Sequence, residues 1–168
     1  MLAIPRRVFK SAQRAGPILA FRASAGCNES EFDGAMHVLI VEDHENSREE
    51  LKRCLTQHGH DVTAAGDLRS AVQSLGKRPF DVIISDIALP DGTGYALISQ
   101  VHRRGLDPLC IAVSGYPFPP DVREPGATGF HHHVQKPLDW EHICSLLKNN
   151  ADPGSRERLL NAFSARHR

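Results

Sequence analysis

Phe80-Asp81-Val82-Ile83-Ile84-Ser85-Asp86-Ile87-Ala88-Leu89-Pro90-Asp91-Gly92-Thr93-Gly94 is the stretch around which the rest of the chain is arranged. Val82 to Ile84 is apolar and β-branched, with the length of a buried strand. The strand, expected over residues 80–85, gives out on a single carboxylate, Asp86. Pro90, Gly92 and Gly94 then enforce a loop before helical spacing resumes. In an open α/β sheet, ligands gather in the crevice beyond the carboxyl ends of the strands. Asp86 is therefore aimed at the place where such a fold does chemistry. Taken alone, an Asp at a strand end is more often a turn or cap residue, so the flanking sequence has to decide.

Upstream, His37-Val38-Leu39-Ile40-Val41 is a short apolar strand followed at once by Glu42-Asp43. Residues 45–58 read as a helix with Leu51, Cys54 and Leu55 on one face and Gly59 as its stop. Residues 61–65 make a weaker strand. Asp67 can cap a helix whose Leu68, Ala71, Val72 and Leu75 recur at helical spacing. Downstream, residues 94–104 form a helix with Leu97, Ile98 and Val101 inward. Residues 109–113 are a fourth strand, ending at Ser114-Gly115. The segment 116–129 holds Pro117, Pro119, Pro120 and Pro125, so a helix there is short or distorted. Residues 130–134 are a fifth, more polar strand ending at Lys136-Pro137. Asp139 caps a last helix through Trp140, Ile143, Cys144, Leu146 and Leu147.

Five strands alternating with helices, three of them almost wholly apolar, imply a parallel sheet covered on both faces. The expected fold is a doubly wound α/β sheet of five parallel strands in the order 2-1-3-4-5. One domain is expected over 36–149. Residues 1–35 are set apart: Arg6, Arg7, Lys10, Arg14 and Arg22 occur before any acidic residue. That resembles an organellar transit peptide, but the plainer reading is a disordered extension, with Met36 a possible start. Residues 150–168 read as a short tail.

Composition excludes several classes. The chain is 40% hydrophobic and 24% charged, with a formal net charge of zero. It lacks the basic footprint of a nucleic-acid binder and any apolar run long enough for a membrane span. Cys27, Cys54, Cys110 and Cys144 form no CxxC pair, so they read as reduced cysteines that fill a core in a cytoplasmic protein.

Each of four strands delivers a chemical group at its carboxyl end: Glu42 and Asp43, then Asp86, then Ser114, then Lys136. Converging carboxylates repel one another, so one is protonated or a hard cation holds them. Mg²⁺ suits oxygen ligands and keeps waters for a phosphate. With Lys136 as a point charge and Ser114 as a hydroxyl, the set fits phosphoryl transfer, and a carboxylate is a competent nucleophile for it.

Val38-Leu39-Ile40-Val41-Glu42-Asp43, Ser85-Asp86 to Gly94, Val113-Ser114-Gly115 and Lys136-Pro137 resemble, in order and spacing, the receiver domain of two-component response regulators, over residues 37–148. The resemblance implies the flavodoxin-like, CheY-like fold. It implies that Asp86 accepts a phosphoryl group from a histidine kinase or histidine phosphotransfer protein. Asp43 and Asp86 would bind Mg²⁺, or Mn²⁺ in its place, with Glu42 acting through water and the Ala88 carbonyl as a further ligand. Ser114 would move to hydrogen-bond the phosphoryl group, and Lys136 would contact phosphorylated Asp86. The aromatic switch position, three before the lysine, holds His133, as in receivers attached to kinases. Such a protein is a phosphoacceptor switch rather than an enzyme: it catalyses only its own phosphorylation and slow dephosphorylation, and acts on a downstream protein whose identity is open. With no output domain after Leu147, a stand-alone receiver is expected.

Other readings compete. A receiver-like module could signal without phosphorylation, though an intact Asp86, Lys136 and acidic pair argue against it. A small flavin-binding or phosphohydrolase enzyme would need a Gly-rich loop after the first strand or a DxD spacing, and neither is present. His131-His132-His133 invites a metal site, but no third ligand is visible, and an exposed strand end is the expected role.

Overall fold

The computed structural model describes residues 35–118 and 128–151. In chain order the elements are β1 (His37–Val41), α1 (Glu45–Gln57), β2 (Asp61–Ala65), α2 (Leu68–Leu75), β3 (Val82–Asp86), β4 (Ala88–Leu89), β5 (Gly92–Thr93), α3 (Gly94–Arg103), β6 (Leu109–Ser114), β7 (His132–Gln135) and α4 (Trp140–Ala151). Five strands form one sheet in the order β2-β1-β3-β6-β7, with every pairing parallel. This is the expected 2-1-3-4-5 order, since β6 and β7 are the fourth and fifth strands of that sheet.

Alternation along the strands sorts the side chains into two layers. Val38, Ile40, Val82, Ile84 and Ile111 pack with Leu51 and Leu55 of α1 and with Ile143 and Leu147 of α4. Leu39, Val41, Ile83, Cys110 and Ala112 pack with Ala71 and Leu75 of α2 and with Leu97, Ile98 and Val101 of α3. Every residue of β3 is buried. At roughly 2 kcal/mol for each fully buried aliphatic side chain, Val82, Ile83 and Ile84 make β3 a firmly held platform. Asp86 is its last residue.

Beyond one-residue shifts at several element ends, three parts of the chain differ from expectation. β3 begins at Val82; Asp81 just before it still ties into the sheet, its amide donating to the His37 carbonyl and its carbonyl accepting the Leu109 amide, both at 2.9 Å, while its carboxylate accepts the His37 amide at 2.9 Å. Residues 88–93, expected as a loop, fold into a two-stranded antiparallel hairpin pairing Ala88 with Thr93 and Leu89 with Gly92. β7 begins at His132 because the buried His131 mimics a peptide group. Its amide donates to the Cys110 carbonyl at 2.8 Å, and its Nδ1 accepts the Cys110 amide at 2.9 Å. Burial, then His132 and His102, push the His131 pKa down to about 4, so the ring is neutral and able to accept.

That burial corrects the exposed-strand-end expectation for the histidine run. His132 and His133 are half-buried as well, and the triplet forms no metal-ligand cluster among the described residues. Trp140 is a packing residue, 6% exposed, with its ring 4.7 Å from that of His58. Cys54, Cys110 and Cys144 are not disulfide-bonded, and burial pushes the Cys110 thiol up. Residues 1–34 of the expected extension, 119–127 of the proline-rich segment 116–129 and 152–168 of the expected tail lie outside the described residues, as does Cys27. No helix among the described residues is long and apolar enough to cross a membrane.

Candidate functional site

The parallel sheet brings the expected groups to one edge. Lys136 follows β7, and its Nζ lies 2.7 Å from Asp86 Oδ2 and 2.6 Å from Glu42 Oε2. The three side chains are largely buried, at 18% exposure for Lys136, 10% for Asp86 and 7% for Glu42. Burial alone would lower the lysine pKa. The hydrogen bonds and charges of Asp86 and Glu42 outweigh it and hold the ammonium above the usual lysine range.

Asp86 spends its other oxygen on the backbone: Oδ1 accepts the Ala88 amide at 2.9 Å. Behind it, α3 begins on Gly94 because nothing larger fits. A Cβ there would lie 2.6 Å from the Asp86 carbonyl oxygen, 3.2 Å from Ser85 Oγ and 3.3 Å from Phe130 Cζ. Asp86 is thereby backed by a helix start and a buried ring.

Ser114 closes β6. Its carbonyl accepts the Lys136 amide at 2.8 Å, so Asp86, Ser114 and Lys136 lie on adjoining strand ends. The Ser114 hydroxyl accepts the Tyr116 amide at 3.0 Å. His133 lies further back in β7, paired with Ala112. Its ring meets Phe118 at 4.9 Å and Phe130 at 5.9 Å edge-on, with Nε2 3.2 Å from Thr128 Oγ1. Burial and then His132 lower its pKa.

Asp43 is the member most open to solvent, its side chain 35% exposed. Its Oδ1 lies 2.9 Å from His44 Nδ1, which is also 3.4 Å from Glu42 Oε1. Partial burial pushes the Asp43 carboxyl up, but the His44 hydrogen bond and charge pull harder and leave it below the usual range. One potential metal-ligand cluster occurs among the described residues, Glu42 with Asp43 and His44. Asp86 is not in that set; Lys136 and the Ala88 amide engage its two oxygens.

Two contributors escaped the sequence reading. Arg48, in the first turns of α1, donates to the Glu42 carbonyl at 2.8 Å and to the Asp43 carbonyl at 3.2 Å. The available signal was a cation five residues after the acidic pair, on a helix leading away from it. His44, the residue before α1, belongs to no sequence motif.

The parallel strand ends thus present a carboxylate, a hydroxyl and a lysine beside an acidic pair on one α/β sheet. The chain belongs to the response regulator receiver domain family, whose model matches residues 38–148. An uncharacterized 14.6 kDa protein in the sodA1 3′ region of Leptolyngbya boryana is 29% identical over 115 residues, 67% of this chain and 88% of its own length. The virulence transcriptional regulatory protein PhoP of Salmonella typhi is 31% identical over 132 residues, 76% of this chain and 59% of that protein. The chain thus spans little more than half of that regulator.

Among solved structures, the chemotaxis protein CheY4 of Vibrio cholerae is similar with a TM-score of 0.62 at 26% identity, covering 68% of this chain and 98% of that one. The response regulator TrrA of Thermotoga maritima, solved in complex with Mg²⁺ and BeF, shares the fold with a TM-score of 0.60 at 22% identity, over 68% of this chain and 98% of that one.

Proposed function

We propose that Asp86 is the phosphoacceptor of a two-component or phosphorelay pathway, charged by a histidine kinase or a histidine phosphotransfer protein. The observation that carries this is the single ammonium of Lys136 held between Asp86 and Glu42 at 2.7 and 2.6 Å. A side chain so placed is paired with a cation and oriented. One Asp86 oxygen attacks phosphorus, the bond from phosphorus to the donor imidazole nitrogen breaks, and the imidazole leaves with the electron pair. Lys136 neutralises the charge gathering on the phosphoryl oxygens.

The donor set also fits a hard divalent cation: three carboxylates, two of them sharing one ammonium, with Asp43 open to solvent. Asp43 and Asp86, with Glu42 through water and the Ala88 carbonyl, would hold Mg²⁺, or Mn²⁺ in its place, and the ion would supply neutralisation of the phosphoryl oxygens. Incubation with phosphoramidate and Mg²⁺ should place an acid-stable, base-labile label on the peptide containing Asp86. Excess chelator or Asp43→Asn should remove that label while the fold stays intact. Labelling that persists undiminished in chelator sinks the metal assignment, and a label mapped to another peptide sinks the site.

The acyl phosphate adds roughly 1.5 to 2 negative charges, and the response falls to Ser114 and His133. The Ser114 hydroxyl, now an acceptor for the Tyr116 amide, turns to donate to the phosphoryl group. His133, lodged against Phe118 and Phe130, follows the loop. A partner protein reads the altered surface. A phosphoryl contact made in only one of two arrangements shifts their populations. Hydrogen exchange with and without beryllofluoride should change most between Ser114 and Val134, and Ser114→Ala should blunt the change without preventing phosphorylation. A change confined to the residues around Asp86 is the opposing result.

A further inference from the structure

The first four amides of a helix have no partner within it. In α2 two aspartate carboxylates accept three of them, and the Asp67 carbonyl takes the ordinary first helical bond, from Ala71. Asp67, the residue before the helix, accepts the Ser70 amide through Oδ1 at 2.7 Å and the Ala71 amide through its carbonyl at 3.1 Å. Asp91, more than twenty residues downstream, accepts the other two: Leu68 through Oδ1 at 2.7 Å and Arg69 through Oδ2 at 2.9 Å. A carboxylate is favoured at that end of a helix. What distinguishes Asp91 is where it comes from. It stands at the tip of the β4–β5 hairpin that immediately follows Asp86.

The hairpin is fixed at both ends. At its base, the Gly94 amide donates to the Ile87 carbonyl at 2.9 Å. At its tip, besides the two Asp91 bonds, Gly92 fits so closely that a Cβ would fall 2.5 Å from Leu68 Cδ2. Between the two anchors lies the Ala88 amide that holds Asp86 Oδ1. With Lys136 on Oδ2, that amide sets the plane of the carboxylate. Without the tip anchor the hairpin can tilt, the amide moves off Oδ1, and the carboxylate is free to turn about its own bond.

We propose that Asp91 is a positioning residue for phosphoryl transfer, clamping the hairpin to α2 so that the Ala88 amide orients Asp86. This rests on the reading of Asp86 as the phosphoacceptor. A merely structural role predicts something simpler: Asp91 would behave as any helix cap does. Asp67 supplies that comparison, since it caps the same helix and its hydrogen bonds go to Ser70 and Ala71 rather than to the hairpin.

The test sets Asp91→Ala beside Asp67→Ala in the full chain. Urea unfolding should show both variants destabilised to a similar degree. Exchange of the Ala88 amide, followed by NMR in the absence of phosphodonor, should quicken only in Asp91→Ala. With phosphoramidate and Mg²⁺, that variant alone should label more slowly at saturation, by about tenfold, with the half-saturating concentration unchanged. Asp91→Asn keeps one of the two acceptors and should fall between wild type and Asp91→Ala. Equal slowing in Asp67→Ala, or an Ala88 amide that exchanges as in wild type when Asp91 is replaced, overturns the clamp while Asp86 remains the acceptor. Wild-type protein that takes no label on Asp86 overturns the phosphoacceptor reading and the clamp with it.

Discussion

Asp86→Asn should reduce labelling by phosphoramidate, or by a phosphorylated kinase, to background. The amide nitrogen is no nucleophile, and the remaining carbonyl oxygen carries no charge with which to attack phosphorus. The loss should not come from unfolding. Asn Oδ1 can still accept from Lys136 Nζ or from the Ala88 amide, though not from both, so the substitution sacrifices one of the hydrogen bonds that Asp86 now makes at 2.7 and 2.9 Å. Circular dichroism and urea unfolding should therefore show a folded, somewhat weakened domain with no label. Were the label to persist, the nucleophile would lie elsewhere, and Asp43 would be the first residue to examine.

Lys136→Ala should be the most destabilising change at the site, and conditionally so. It leaves the carboxylates of Glu42 and Asp86, 7% and 10% exposed, without their shared cation. Removing one partner from a buried ion pair costs about 3 kcal/mol or more. Mg²⁺ would meet no competing ammonium in the variant, so added metal should narrow the gap by binding the folded state. The pH dependence has a definite sign. The folded lysine pKa is raised, so its contribution is complete below the ordinary lysine value and is lost only as pH rises through the raised one. The gap between wild type and variant should hold at neutral pH and shrink in strong alkali. Urea midpoints in chelator and in Mg²⁺ measure all of this. A variant as stable as wild type in chelator, or one indifferent to Mg²⁺, contradicts the assignment of Lys136 as the counter-ion.

The fold was legible because its signals are local. Val82 to Ile84 read as a buried strand from composition alone, and Leu97, Ile98 and Val101 named the inner face of α3 from spacing. The site was legible because parallel strands collect their carboxyl ends on one edge, so Asp86, Ser114 and Lys136 converge whatever the sequence between them. The missed features are those whose partner is far along the chain. Asp91 sits in Pro-Asp-Gly and reads as a turn; its real partners, the amides of Leu68 and Arg69, leave no trace beside it. His131 reads as a polar strand residue, and its burial follows from the Cys110 amide that it satisfies. Arg48 looks like a solvated helix cation until its bonds to the Glu42 and Asp43 carbonyls are seen.

The two apolar layers of the sheet have a consequence for how the strands find their alignment. Where only one face is buried, slipping by a residue drives greasy side chains into water and is forbidden. Here β1, β3 and β6 are greasy on both sides, and a slip trades Val38 for Leu39 or Ile83 for Ile84 at little cost in burial. The alignment marks are instead polar and sit at opposite ends of the strands. Asp81 hooks the start of β1 through the His37 amide, and Lys136 spans the far ends of β1 and β3 through Glu42 and Asp86. The charges that would do the chemistry are thus also what tells the strands where to stop, and a variant that redraws them loosens the alignment of the sheet together with the reaction.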